Sequence, residues 1–129
     1  MPHQNLEQIR AAHALATLKG EHGDQITRSE VNKLPAMIVA NGLLAATAFA
    51  KETNDKGEPK RMGMCEAMRS VATLLALDAL GIEAMSGATD AGDIVTRLSA
   101  AESAELQRAT TEALAYLGYL KRFARPGEE

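Results

Sequence analysis

The three histidines are the first residues to examine for chemistry in this 129-residue chain. In the stretch HALATLKG, His13 lies six residues before Lys19 and seven before Gly20. Histidine phosphotransfer domains are also small helical bundles, but their phosphate-accepting histidine stands in an H-x-x-K-G pattern. The longer spacing moves Lys19 off the helical turn beside His13, which argues against phosphotransfer and favours a half-buried helix residue. His3 and His22 have no cysteine or carboxylate at ligand spacing, so we expect no zinc site.

The paired carboxylates fit a structural role better than a catalytic one. Glu102 with Glu105, and Asp90 with Asp93, fall in the first turns of predicted helices, where the helix dipole favours acids. The sequence has none of the Glu-x-x-His motifs of di-iron bundles, and no P-loop, G-x-S-x-G or G-x-G-x-x-G pattern. Cys65 has no obvious histidine partner. We therefore expect a protein that is not an enzyme and that holds no cofactor or metal.

The basic residues form two clusters, one in a polar loop and one at the end of the last predicted helix. Net charge is −3, so any contact with RNA or DNA needs a local patch rather than a global positive field. The second cluster also has a plain structural interpretation, since cations stabilise a helix C-terminus. The alternative is a patch that contacts backbone phosphates. The clusters are Lys56, Lys60 and Arg61, and Lys121, Arg122 and Arg125.

The elements that must position these residues are predicted to be helices. Apolar content is 46%, with many alanines, only four aromatic residues and no tryptophan, and such a core suits closely packed helices. We predict an all-α fold in which residues 1–129 form a single compact bundle of about five helices. Their approximate ranges are 5–19, 27–52, 62–80, 90–98 and 100–124, the last being the longest. Thr27-x-x-Glu30 and Ser99-x-x-Glu102 are predicted capping boxes.

The stretch KLPAMIVANGLLAATAFAKE carries no charge between Lys33 and Lys51. Its 17 residues from Leu34 to Ala50 stand at the lower limit for a membrane span, and six of them are alanine. We therefore expect no membrane contact and instead a central, buried helix that restarts at Pro35. The single Cys65 and the absence of a signal-peptide pattern in MPHQNLEQIR favour the cytoplasm.

Two segments resemble a known family. The stretch above is similar to the K-L-P-a-x-I-x-x-N-G-L-x-x-t-x-A-F signature of the small α-helical subunit of the Cmr complex, the type III-B CRISPR effector. TTEALAYLGYLKRFA, residues 110–124, resembles that subunit's C-terminal helix, and LEQIRAAHAL resembles its opening. The matching positions of the signature are Lys33, Leu34, Pro35, Ile38, Asn41, Gly42, Leu43, Ala48 and Phe49.

The resemblance implies a non-catalytic structural subunit of an RNA-guided, RNA-targeting complex. Its partners would be the backbone and large subunits, further copies of itself, and the guide RNA–target RNA duplex. Lys33, Lys121 and Arg122 match the family motifs and are the first candidates for phosphate contacts, although Lys121 and Arg122 could equally bind acidic protein surfaces. Lys60, Arg61 and Arg125 are candidates by charge alone.

Within the signature, we expect Gly42 to let a neighbouring helix approach closely and Asn41 to hydrogen-bond a backbone group of a neighbouring element. Two alternatives remain at this stage. One is a self-associating helical scaffold or adaptor with no RNA role, and the other is a phosphotransfer accessory phosphorylated on His13.

Overall fold

A computed structural model describes residues 4–126 of the chain, and in this range it is an all-helical bundle with a long C-terminal helix. The predicted fold class is confirmed. Single-turn 3-10 helices connect some elements at Gly23–Gln25, Asp78–Leu80 and Glu83–Met85. The α-helices are α1 (Leu6–Lys19), α2 (Arg28–Val31), α3 (Leu34–Asn41), α4 (Leu43–Ala50), α5 (Met62–Leu75), α6 (Ala91–Ser99) and α7 (Ser103–Phe123).

The helix at the centre of the bundle is α5. It packs against α1, α2, α4, α6 and α7. Four residues of α5 that recur at three- and four-residue spacing are all buried: Met64, Met68, Val71 and Leu75. The apolar stretch is not buried on every side as expected, because Val39 in α3 is 76% exposed.

The apolar stretch is also divided. The predicted helix over residues 27–52 becomes α2, α3 and α4, with Pro35 in the first turn of α3 as expected. The second break lies at Gly42, whose φ of 95° and ψ of 159° are compatible with glycine and strained for other residues. The signature glycine therefore serves to turn the chain.

Two expectations about this turn are wrong. No atom lies within 4 Å of where a Gly42 side chain would begin, so this glycine is not a point of close helix approach. Asn41 is exposed, and its side chain makes no hydrogen bond to any residue of the described range 4–126. The break at Gly42 leaves the Asn41 side chain exposed at the surface.

Capping boxes form at two helix starts, neither of which was a predicted box. Asn5 caps α1 and Asp90 caps α6, each through a reciprocal pair of side-chain hydrogen bonds. Thr27 precedes α2, but its hydroxyl donates to the Glu30 carboxylate (3.1 Å) rather than capping the backbone. The box predicted at Ser99 is wrong, because Ser99 is the last residue of α6 and the helix α7 starts at Ser103.

The long helix α7 buries the stripe that its spacing predicts. Ala109, Ala113, Leu117 and Leu120 are fully buried, and Glu112 beside them forms an ion pair with Arg10 of α1. The third predicted helix is shorter than expected, since α5 ends at Leu75 rather than near residue 80. No helix of the described residues is long and apolar enough to cross a membrane.

Candidate nucleic-acid interface

The structure brings four of the six predicted basic residues to one surface groove. Its volume is about 830 Å³, and it lies between the loop before α2, the start of α3, and the start of α5. Two carboxylates, Asp24 and Glu30, share the lining, so cations outnumber acids two to one. The basic residues that line it are Lys33, Lys60, Arg61 and Arg125. We call this feature the basic groove.

Arg61 is held in place by the end of α4. Its Nη1 donates hydrogen bonds to the Phe49 carbonyl oxygen (3.1 Å) and to Glu52 Oε1 (2.9 Å). Its guanidinium carbon lies 3.6 Å from the centroid of the Phe49 ring, which is the geometry of a cation–π contact. The signature residue Phe49 therefore positions a cation in the groove, a role that the sequence alone did not reveal.

Arg125 is fixed by the chain segment before α2. Its Nε and Nη2 both donate to the Asp24 carbonyl oxygen, at 3.0 and 2.7 Å. The backbone reinforces this link, because the Arg28 amide donates to the Arg125 carbonyl oxygen at 2.8 Å. The C-terminal segment beyond α7 is thus tied to the wall of the groove.

Lys33 and Lys60 differ from the two arginines because they are exposed and their ammonium groups contact no acceptor in the described residues. Neither forms a hydrogen bond or an ion pair through its side chain with the residues in the range 4–126. The Lys60 backbone is nevertheless ordered, since its amide donates to the Glu52 carbonyl oxygen (2.9 Å) at the base of the loop. These two lysines are therefore the cations best able to contact an incoming phosphate.

The N-terminus of α5 opens into the same groove. Met62, Gly63 and Met64 line it, and no side chain caps the first turn of the helix. Uncapped N–H groups and the helix dipole favour an anion at such an end. The Glu30 carboxylate stands close by, since a methyl group on Gly63 would lie 2.5 Å from its carboxyl carbon. The groove therefore combines donors for phosphate with two carboxylates that oppose it, of which Glu30 stands beside the start of α5.

Lys121 and Arg122 do not line the basic groove. Both lie in the last turn of α7, where cations stabilise the helix end. Arg122 donates to the Gly118 carbonyl oxygen of its own helix (3.3 Å). Their assignment as RNA contacts remains a prediction, separate from the groove.

His13 is a partly buried helix residue in the interior, as its spacing favoured. Its Nε2 lies 2.8 Å from Thr73 Oγ1 and 3.1 Å from the Ser70 carbonyl oxygen. Burial lowers the pKa of the imidazole below its ordinary value of 6.5, and the bond to Ser70 partly opposes that shift. Within residues 4–126, no group of His, Cys, Asp and Glu side chains could hold a metal ion.

A family model described as CRISPR-associated protein (Cas_Cmr5) matches residues 6–126 of the chain. The chain belongs to this family. It is a small subunit of the type III-B (Cmr) CRISPR complex, and the resemblance carried by residues 33–52 and 110–124 is confirmed. Comparisons with curated proteins and with solved structures gave no match.

The Cas_Cmr5 family is one of structural subunits, so the chain works as a component of an assembly with other subunits. The match includes every element of the basic groove, from Asp24 to Arg125.

Proposed function

We propose that this Cas_Cmr5 subunit is a non-catalytic component that helps to hold the target RNA in the type III-B interference complex. In this role the basic groove contacts backbone phosphates of the guide–target duplex. The observation that carries the proposal is the convergence of Lys33, Lys60, Arg61 and Arg125 beside the uncapped N-terminus of α5. These groups would bind backbone phosphates and not base edges, so the contact would not depend on the RNA sequence. A subunit that works with any guide RNA requires such a contact.

The distribution of charge supports a contact confined to this surface. The chain is acidic overall, with a net charge of −3, so most of its surface does not attract RNA. Arg125 supplies fixed positive charge, whereas the charge of Arg61 is partly offset by its ion pair with Glu52. Lys33 and Lys60 can reach the ligand. A groove of this kind adds affinity without demanding a particular sequence.

The proposal extends to the assembly. Residues 1–129 act as one helical domain in the cytoplasm, beside the backbone and large subunits, with more than one copy stacked along the channel. Cleavage of the target belongs to other subunits. Lys121 and Arg122 are proposed as a second phosphate contact outside the groove.

The test is target-RNA binding by the reconstituted complex that carries Lys33→Glu and Lys60→Glu. Each lost phosphate contact reduces the slope of log affinity against log salt by roughly 0.7–0.9. The double variant should therefore show a slope shallower by about 1.4–1.8 for each copy of the subunit that contacts the RNA. Between about 50 and 200 mM salt, the wild-type complex should lose about tenfold more affinity than the variant for each such copy. The loss should be uniform across target sequences.

The matched control is Lys19→Glu with Lys56→Glu, which makes the same change of charge on exposed residues outside the groove. This control should keep the wild-type slope. A third variant, Lys121→Glu with Arg122→Glu, tests the second contact. If the groove variant assembles normally and its affinity and slope equal those of the control, the groove does not contact RNA. A chain that then self-associates without RNA would be a scaffold.

A further inference from the structure

A second, smaller cavity lies between the end of α1, the 3-10 turn at Gly23–Gln25 and the face of α5. Its volume is about 260 Å³, and it shares no lining residue with the basic groove. Its charged lining consists of Glu21, Glu66 and Arg69. The cavity thus has the opposite balance of charge to the groove.

Glu66 in this cavity is a buried carboxylate with unused hydrogen-bonding capacity. Its side chain is only 6% exposed, and its Oε2 accepts no hydrogen bond from the part of the chain that the structure describes. Arg69 Nε lies 3.1 Å from that oxygen as an ion pair, but its side chain is 56% exposed and its N–H is not aligned for a hydrogen bond. A carboxylate removed from water without hydrogen bonds is costly, so Glu66 calls for a further donor.

The neighbouring hydroxyl groups cannot supply that donor because they bond to one another. The Thr17 and Ser70 hydroxyls lie 2.7 Å apart, and the Ser70 hydroxyl lies 2.5 Å from that of Tyr116. The Thr73 hydroxyl donates to the Ser70 carbonyl oxygen at 3.0 Å. What the cavity offers a ligand is therefore acceptor oxygens and negative charge.

We propose that this cavity receives the ammonium or guanidinium group of a lysine or arginine side chain from a neighbouring protein subunit. The cation would bind Glu66, with Glu21 at the exposed rim. The cavity is smaller than the roughly 300–1,000 Å³ of ordinary ligand pockets and suits one side chain. Two carboxylates against the one guanidinium of Arg69 leave the lining with a net negative charge, which disfavours the phosphates of RNA. A buried charge pair of this kind is a typical anchor between subunits. The inference depends on the chain being part of an assembly and not on its RNA role.

The first experiment titrates small probes into the ¹⁵N-labelled full-length protein. N-acetyl-lysine methylamide and N-acetyl-arginine methylamide should give saturable shifts of the Gly23, Glu66 and Ser70 amides. The uncharged norleucine analogue should not. Glu66→Gln should weaken binding at least tenfold, whereas Glu83→Gln, an exposed change elsewhere, should leave it unchanged.

Two outcomes would overturn the proposal. One is that norleucine gives the same shifts as the lysine and arginine probes, and the other is that the Glu66→Gln variant binds those probes as tightly as the wild type. Saturation by spermidine alone would assign the cavity to a free polyamine instead.

The second experiment places the same variants in the reconstituted complex. Glu66→Gln should lower retention of this subunit at least tenfold, and assembly should protect the amides of residues 21–23 and 66–73 from hydrogen exchange. The isolated variant should keep the wild-type Tm to within about 4 °C, because glutamine preserves the shape of the side chain and only the ion pair with the exposed Arg69 is lost. An unchanged Tm separates weakened assembly from unfolding. Glu21→Gln, on the exposed rim, provides a second variant with a smaller loss in the same direction. Normal retention of both variants would show that no partner side chain binds here.

Discussion

Gly42 and Gly118 provide a direct test of how this chain folds. Both glycines occur in alanine- and leucine-rich helical sequence, yet the structure gives them different backbones. Gly42 has φ of 95° and ψ of 159° between α3 and α4, whereas Gly118 lies inside α7. Replacing each by alanine should therefore change stability in opposite directions.

The magnitudes follow from the local geometry. Nothing lies within 4 Å of a methyl group at position 42, so Gly42→Ala adds no clash and its whole cost is backbone strain, about 1–3 kcal/mol. A methyl group at position 118 would lie 3.5 Å from Arg122 Nη1, an ordinary contact. Gly118→Ala should therefore gain the helix-propensity difference of about 0.5–1 kcal/mol.

Thermal and urea unfolding of the isolated variants measures both effects. For a chain of this length, 1 kcal/mol corresponds to about 4 °C in Tm. Gly42→Ala should lower Tm by about 4–12 °C, and Gly118→Ala should raise it by about 2–4 °C. The m-values should stay unchanged, since neither change alters the surface that unfolding exposes.

A decisive control replaces Gly42 by D-alanine, through ligation of a synthetic segment at Cys65. The D-residue adopts positive φ readily, so this variant should equal or exceed wild-type stability. If Gly42→Ala were neutral or stabilising, α3 and α4 would form one continuous helix, and the reasoning about the signature glycine would be refuted.

Two further predictions concern the interior. Gly23→Ala should destabilise the chain by about 3 kcal/mol or more, because a methyl group there would lie 2.7 Å from the Leu18 Cα and closer still to its carbonyl group; a loss below about 1 kcal/mol in urea unfolding would contradict this. For His13, burial lowers the folded-state pKa, so the unfolded chain binds the proton more readily. Its contribution to stability should therefore be complete above about pH 6.5 and fall as the pH drops through the unfolded value toward the lowered one. Unfolding of His13→Gln between about pH 7.5 and 5 should show a flatter profile, and an unchanged profile would exclude this role.

Much of the helical architecture was predictable because its causes are local. The stripe on α7 and the inward face of α5 follow from three- and four-residue spacing of apolar side chains. Pro35 marked the start of α3, and Asn5 the start of α1. Errors arose where competing local patterns existed, as at Ser99, which was predicted to cap the last helix but is the last residue of α6, while α7 starts later, at Ser103.

The sequence predicted the individual basic residues of the candidate site but not the groove that brings four of them together. Sequence selected six cations by motif or charge, and nothing in their spacing indicated that Lys33, Lys60, Arg61 and Arg125 share one groove. Arg125 reaches Asp24 across 101 positions of the chain. The burial of Glu66 could not be predicted from the sequence for the same reason. It depends on the packing of α1 and the turn at Gly23 against α5.

By itself, the amino-acid sequence determined the helical class, most helix boundaries and the family, since these depend on periodicity, capping and short motifs. The tertiary structure decided which helix is central, why the signature contains glycine, and where charge is concentrated. Those properties arise from contacts between distant segments and from the conformation of single residues such as Gly42. Local spacing contains no information about either, because burial and electrostatic potential are sums over neighbours in space.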